Sequence, residues 1–287
     1  MSLPAGFLFG VLAGVVLLAG LRDMLARDMF RRTNYRGAEL SSAAGLVVPL
    51  ALYFTAAAVA VATALGATPD AAATESLTLT GVAVGGFGLL GLLDDLAVDQ
   101  ATSGYRGHVG ALLKGRLTAG SLKMLAGPAV ALLVVQRAAG PSLGWLLVDG
   151  AIVALAANLA NLLDRAPGRV TKVSVLALVA LVVTAAVAAD GQMPALTGAA
   201  VAVGAALGVL GPELREQVML GDTGANSLGA ALGLAVVLTQ SRTASLVVMV
   251  VLLVLNLASE RVSFSRVIDR VAPLRVLDRL GRRPVEP

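Results

Sequence analysis

Four short stretches of this chain carry side chains able to do chemistry, and each lies against a long apolar run. The first is Asp94-Asp95, followed by Asp99. On a continuing helix Asp95 and Asp99 fall on one face, four residues apart. Adjacent carboxylates repel unless a cation lies between them, and hard oxygen donors of this kind suit Mg²⁺, with Mn²⁺ as the substitute. The second is Asn158-Leu-Ala-Asn161-Leu-Leu-Asp164-Arg165, with Arg169 four residues on. Steps of three keep these side chains roughly along one helical face. Amides inside an apolar run need partners, so they mark either a polar cavity or hydrogen bonding between helices. The third is Gly221-Asp222-Thr223-Gly224-Ala225-Asn226-Ser227. Its glycines permit close backbone approach, and free N–H groups at a helix start suit phosphate. Asp222 would repel that phosphate, so a bridging cation reconciles the two; a plain capped turn is the simpler alternative. The fourth is the basic set Arg106, His108, Lys114, Arg116 and Lys123. Together these could grip a diphosphate, although each alone is ordinary in a basic loop.

The elements that must position these residues follow from composition. Of the 287 residues 57% are hydrophobic and 14% charged, and the mean hydropathy is +0.85. A soluble domain carries about 25% charge, so the chain belongs in a bilayer. With no cysteine, a disulfide scaffold, a zinc–thiolate site, an iron–sulfur cluster and a cysteine nucleophile are excluded. A single histidine argues against a multi-histidine site, and 3% aromatics argue against a nucleic-acid stacking platform despite the basic balance. Nine apolar runs approach the length needed to cross the hydrocarbon core, at roughly 5–21, 43–65, 76–93, 122–139, 143–163, 173–189, 195–210, 225–240 and 243–258. The expected fold is therefore all-α, a polytopic bundle of about nine transmembrane helices, with 32 glycines allowing close helix packing.

The segments at 22–42, 94–123, 164–172, 211–224 and 259–287 hold 20 of the 22 Lys and Arg, leaving only Arg137 and Arg242 on the other side. The positive-inside rule then predicts an outer N-terminus, a cytoplasmic C-terminus and all four polar stretches at the cytoplasmic face of the cell membrane. Residues 1–258 form one transmembrane domain on this reading. Residues 259–287 form a basic amphipathic tail, lying on the anionic leaflet or closing over an anionic substrate. Asp149, near the outer end of its run, reads as interfacial or packed.

Taken in order, these stretches resemble the polyprenyl-phosphate N-acetylhexosamine-1-phosphate transferases, glycosyltransferase family 4, over most of the chain. Asn34-Tyr-Arg36-Gly is similar to the family's Asn-x-Arg stretch before its second helix, and Asp94-Asp95 to its double aspartate. Lys123 falls where the family has an active-site lysine. Asn158, Asn161 and Asp164 match its Asn-x-x-Asn-x-x-Asp motif, and Gly221-Asp222 its Gly-Asp motif. The resemblance implies transfer of a sugar-1-phosphate from a UDP-sugar to a polyprenyl phosphate, releasing UMP, in cell-envelope glycan synthesis. It implies Mg²⁺ on Asp222 with Asp94 and Asp95, and catalytic roles for Asp94, Asp95, Asp164 and Lys123. Asp94 would orient the nucleophile or form a covalent intermediate. Substrate contacts would come from Asn34, Arg36, His108, Asn158, Asn161, Arg165, Arg169, Arg261 and Arg266. The implied partners are the lipid carrier, the UDP-sugar and membrane lipids, with no nucleic acid and room for a homodimer. Two departures bear on the donor: Pro167 replaces the second aspartate of the third motif, and no histidine follows His108. An ion-coupled transporter and a catalytically degenerate scaffold are the competing readings.

Overall fold

The computed structural model describes residues 1–96, 118–140, 142–187 and 192–283, together with Gly110, Lys114 and Gly115. Nine long helices among them coincide with the nine apolar runs: α1 (Leu3–Leu25), α2 (Val47–Ala64), α3 (Ala71–Leu96), α4 (Ala119–Ala139), α5 (Leu143–Leu163), α6 (Arg169–Val187), α7 (Thr197–Leu214), α8 (Gly221–Thr239) and α9 (Arg242–Ser259). Seven of these, extended in places by a preceding 3₁₀ turn, are long and apolar enough to cross a membrane. The apolar part of α4 is shorter, Gly120–Gln136, and α8 opens on a polar turn.

Local chemistry sets many of the helix starts. The Ser142 hydroxyl accepts from the Trp145 N–H to open α5, and Ser241 does the same for Ala244 at α9. At α4, Thr118 and Ser121 satisfy each other's backbone N–H groups reciprocally, the pattern of a capping box.

α8 is the central helix, buried along most of its length. It packs chiefly against α3 and α5, while α1 lies against α7. One feature differs from the expected helix-and-loop pattern. Residues 31–33 (β1) and 39–41 (β2) pair as a small antiparallel hairpin, too short to show against the helical signal. Ser41 bridges in parallel to Val218, so the hairpin is tied to the segment before α8.

The tail forms α10 (Phe264–Arg270) and α11 (Ala272–Arg279), with Pro273 in the first turn of the second. Rather than lying free, it is pinned to the bundle. The Arg169 Nε donates to Asp278 Oδ1 at 2.8 Å and its Nη2 to Oδ2 at 3.1 Å, a two-pronged pairing. Lys172 Nζ donates to the carbonyls of Asp278 at 2.8 Å and Leu280 at 2.7 Å, at the end of α11.

Candidate active site

Two glycines let α3 meet the start of α8. A Cβ on Gly91 would overlap the Asp222 carbonyl, so only glycine allows this crossing distance. Gly221 has φ +72° and sits against the Ser42 carbonyl, which excludes a side chain on both counts. The approach brings Asp95, in the last turn of α3, onto the free N–H groups of α8. Its Oδ1 accepts from the Asp222 N–H at 3.1 Å, and its Oδ2 from the Thr223 N–H at 3.0 Å and the Thr223 hydroxyl at 2.7 Å. A carboxylate here complements the positive end of the helix dipole.

Asp222 itself turns toward α4 and α5. Its Oδ2 accepts from Lys123 Nζ at 2.8 Å and from the Asn161 amide at 3.0 Å. The same ammonium reaches Asp94 Oδ2 at 3.4 Å, and the Asp94 and Asp222 carboxyls lie within hydrogen-bonding reach of each other. Four helices thus contribute one polar group each to a single point: Asp94 (α3), Lys123 (α4), Asn161 (α5) and Asp222 (α8).

Beside this cluster is a cavity of about 500 Å³. Asp95, Asp222, Asp164 and Arg165 line it, together with Pro167, Asn34, Tyr35, Arg32, Ser42, Glu213 and Glu216. Asp164 closes the C-terminus of α5. Burial, then the neighbouring charges of Glu213, Asp222 and Asp95, push its carboxyl well above the usual range. At the far rim, Glu216 holds a left-handed backbone with φ 55°, strained for a non-glycine residue. Its carboxylate pairs with Arg36 Nε at 3.2 Å and accepts from the Asn34 amide at 3.1 Å.

Several residues expected at the site stand elsewhere. Asn158 donates to Asn256 Oδ1 at 2.7 Å, an α5–α9 hydrogen bond on the exposed side of α5, and it is absent from the cavity lining, so the interhelical role fits it. Arg169 is buried in the pairing with Asp278 and is not free for substrate. Arg261 and Arg266 are exposed, outside the cavity lining. Asp99, Arg106, His108 and Arg116 lie outside the described residues, and Lys114 is exposed. Asp149 is fully buried and pairs with Arg242 at 2.7 Å, as a packed residue.

Both oxygens of Asp95 accept hydrogen bonds from the first turn of α8. Among the described residues no three acidic or histidine side chains converge as a ready-made metal cage. The donor set that fits a hard divalent cation is Asp94 with Asp222, the carboxylates Lys123 now holds together. Two cavity acids, Glu213 and Glu216, escaped the sequence reading. The only signal was an acid just past the seventh apolar run, as Asp94 is just past the third.

A model of glycosyl transferase family 4 matches residues 76–240, more than half of the chain. The chain belongs to glycosyl transferase family 4. A comparison with curated proteins finds no match. The matched region of this family 4 chain takes in Asp94, Asp95, Lys123, Asn158, Asn161, Asp164 and Asp222, in agreement with the sequence resemblance. Membership supports a membrane transferase acting on sugar phosphates. A transporter would place its acids near the bilayer midplane, whereas Asp94, Asp164 and Asp222 in this family 4 chain all stand at one end of the bundle.

Proposed function

We propose that the chain transfers a sugar-1-phosphate, of the N-acetylhexosamine type, from a UDP-sugar to a polyprenyl phosphate at the cytoplasmic face of the cell membrane. The observation that carries this is the convergence of Asp94, Asp222, Lys123 and Asn161 beside a polar cavity, and an apolar groove begins next to the 164–168 turn. That groove, about 370 Å³ and almost wholly apolar, runs between α5, α6, α8 and α9, from Leu163 and Val170 to Thr184 and Gln240. Leu163 and Val170 flank the 164–168 turn, so a prenyl chain in the groove brings its phosphate toward Asp164.

In the reaction, an oxygen of the lipid phosphate attacks the sugar-bearing phosphorus of the UDP-sugar. The phosphorus–oxygen bond to UMP breaks and its electron pair leaves with UMP. The lipid phosphate is already largely ionised at neutral pH, so a general base contributes little. Phosphoryl transfer depends on positioning and on neutralising charge. Asp94 and Asp222 would hold Mg²⁺, which when bound neutralises phosphate oxygens. Asn161 fixes the Asp222 carboxylate, and Asp95 fixes the turn from which Asp222 projects. Lys123 lies between the two carboxylates, where its ammonium would neutralise a phosphate oxygen brought beside them.

The test is incubation of the purified chain with Mg²⁺, polyprenyl phosphate and a panel of UDP-sugars while UMP release is followed. UMP formed only when lipid and Mg²⁺ are both present supports the reading. Absence of UMP with every donor overturns it.

A further inference from the structure

We propose that Glu213 reads the uncharged, hydrogen-bond-donating part of the nucleotide-sugar, an inference resting on the transferase reading above. Glu213 lies in the last turn of α7, is 3% exposed and lines the cavity. The backbone N–H groups of Gly168 and Leu220 face its carboxylate, yet its Oε2 has no hydrogen-bond partner. Buried polar atoms are nearly always paired in native proteins, so an orphaned carboxylate oxygen on a cavity wall calls for a ligand.

Apart from Asp164, the other acids around the cavity are engaged. Asp222 serves Lys123 and Asn161, Asp95 caps α8, and Glu216 serves Arg36 and Asn34. A spare carboxylate oxygen cannot face the diphosphate, since like charges repel in a partly enclosed site. It can accept from N–H or O–H groups on the neutral ends of the donor, either the sugar with its amide or the base with its imide. Pro167, on the same wall, offers no hydrogen-bonding side chain, and Arg169 is turned away to Asp278. Glu213, supplied by a different helix from the motif beside it, thus adds a hydrogen-bond acceptor to this wall. A site built to accept a particular N–H or O–H discriminates strongly against ligands lacking it.

The test uses the full chain in detergent with Mg²⁺ and measures affinity for UMP, UDP and UDP-GlcNAc in the wild type and in Glu213→Gln. KM for the lipid phosphate and for the donor is followed in parallel. The expected result is a loss of donor affinity of about tenfold or more, with KM for the lipid unchanged. Weakening confined to UDP-GlcNAc assigns the contact to the sugar, and weakening shared by UMP assigns it to the nucleoside. Unchanged affinity for all three ligands overturns the role of Glu213. So does an equal rise in both KM values, which would mark a residue that only braces Gly168 and Leu220. If Glu213→Gln does not fold, Glu213→Asp, which withdraws the charge by one methylene, carries the same comparison. A wild type that binds none of the three overturns the transferase reading itself.

Discussion

Asp95 grips Thr223 at two points, taking its backbone N–H at 3.0 Å and its hydroxyl at 2.7 Å on the same oxygen. This contact crosses from the end of α3 to the start of α8 and sets where Asp222 points. Two adjacent aspartates therefore have separable tasks. Asp94→Asn is expected to abolish turnover with little change in melting temperature. Asp95→Ala is expected to destabilise the fold by roughly 0.5–2 kcal/mol, the usual cost of a lost helix cap. Thermal unfolding and UMP release, measured on both variants, distinguish the two; equal melting temperatures would contradict the division.

On the proposed reading, Lys123 and a divalent cation would compete for the same pair of carboxylates. In Lys123→Ala, Asp94 and Asp222 face each other without a counter-charge, so the metal-free protein should melt lower and gain more from added Mg²⁺ than the wild type does. Asp222→Asn should remove most of that gain and cut turnover by about 100-fold or more. A Mg²⁺-induced shift that survives in Asp222→Asn would remove Asp222 from the metal site.

The two asparagines of α5 should behave differently. Asn161 touches Asp222 and Asn158 touches Asn256. Asn161→Ala is expected to lower kcat. Asn158→Ala is expected to cost about 1 kcal/mol of stability and leave kcat near normal. Steady-state kinetics with chemical denaturation on each variant makes the comparison.

The tail clamp should be sensitive to acid. Burial would raise the Asp278 carboxyl, but hydrogen bonds and charge from Arg169 and then Arg282 outweigh it and hold the group below the usual carboxylate range. With the folded value depressed, the stabilisation is complete above the ordinary carboxylate value and is lost as pH falls through the folded one. Proteolysis or hydrogen exchange at residues 264–283 should therefore rise below about pH 4. Asp278→Asn should show the same opening at neutral pH.

Orientation is open to direct labelling. Single cysteines placed near Asp164 should react only from the cytoplasmic side, and those in 66–75 only from outside. Outside labelling near Asp164 would overturn the arrangement proposed for the site.

The sequence by itself determined the helices, because nine apolar runs of near-spanning length leave the backbone little alternative inside a bilayer. It also determined the family, through the order of Asp94-Asp95, Asn158/Asn161/Asp164 and Gly221-Asp222, since those side chains at the ends of apolar runs are costly without a use. Tertiary structure decided which member of each motif faces the chemistry. A step of three along a helix falls about 60° short of a full turn. That slip sends Asn158 toward α9 and Asn161 toward Asp222, although the spacing had put them on one face. Asp94 and Asp95 differ by about 100°, enough to give one to Lys123 and the other to the cap of α8. Arg169, Glu213 and the hairpin were settled by contacts between separate elements, such as Arg169 with Asp278 and Ser41 with Val218. Asp278 claims the arginine, the packing of α7 sets the buried glutamate in the cavity wall, and Val218 anchors the hairpin. Such pairings leave no periodic trace in the sequence, because they depend on which helices pack together and not on the pattern within any one of them.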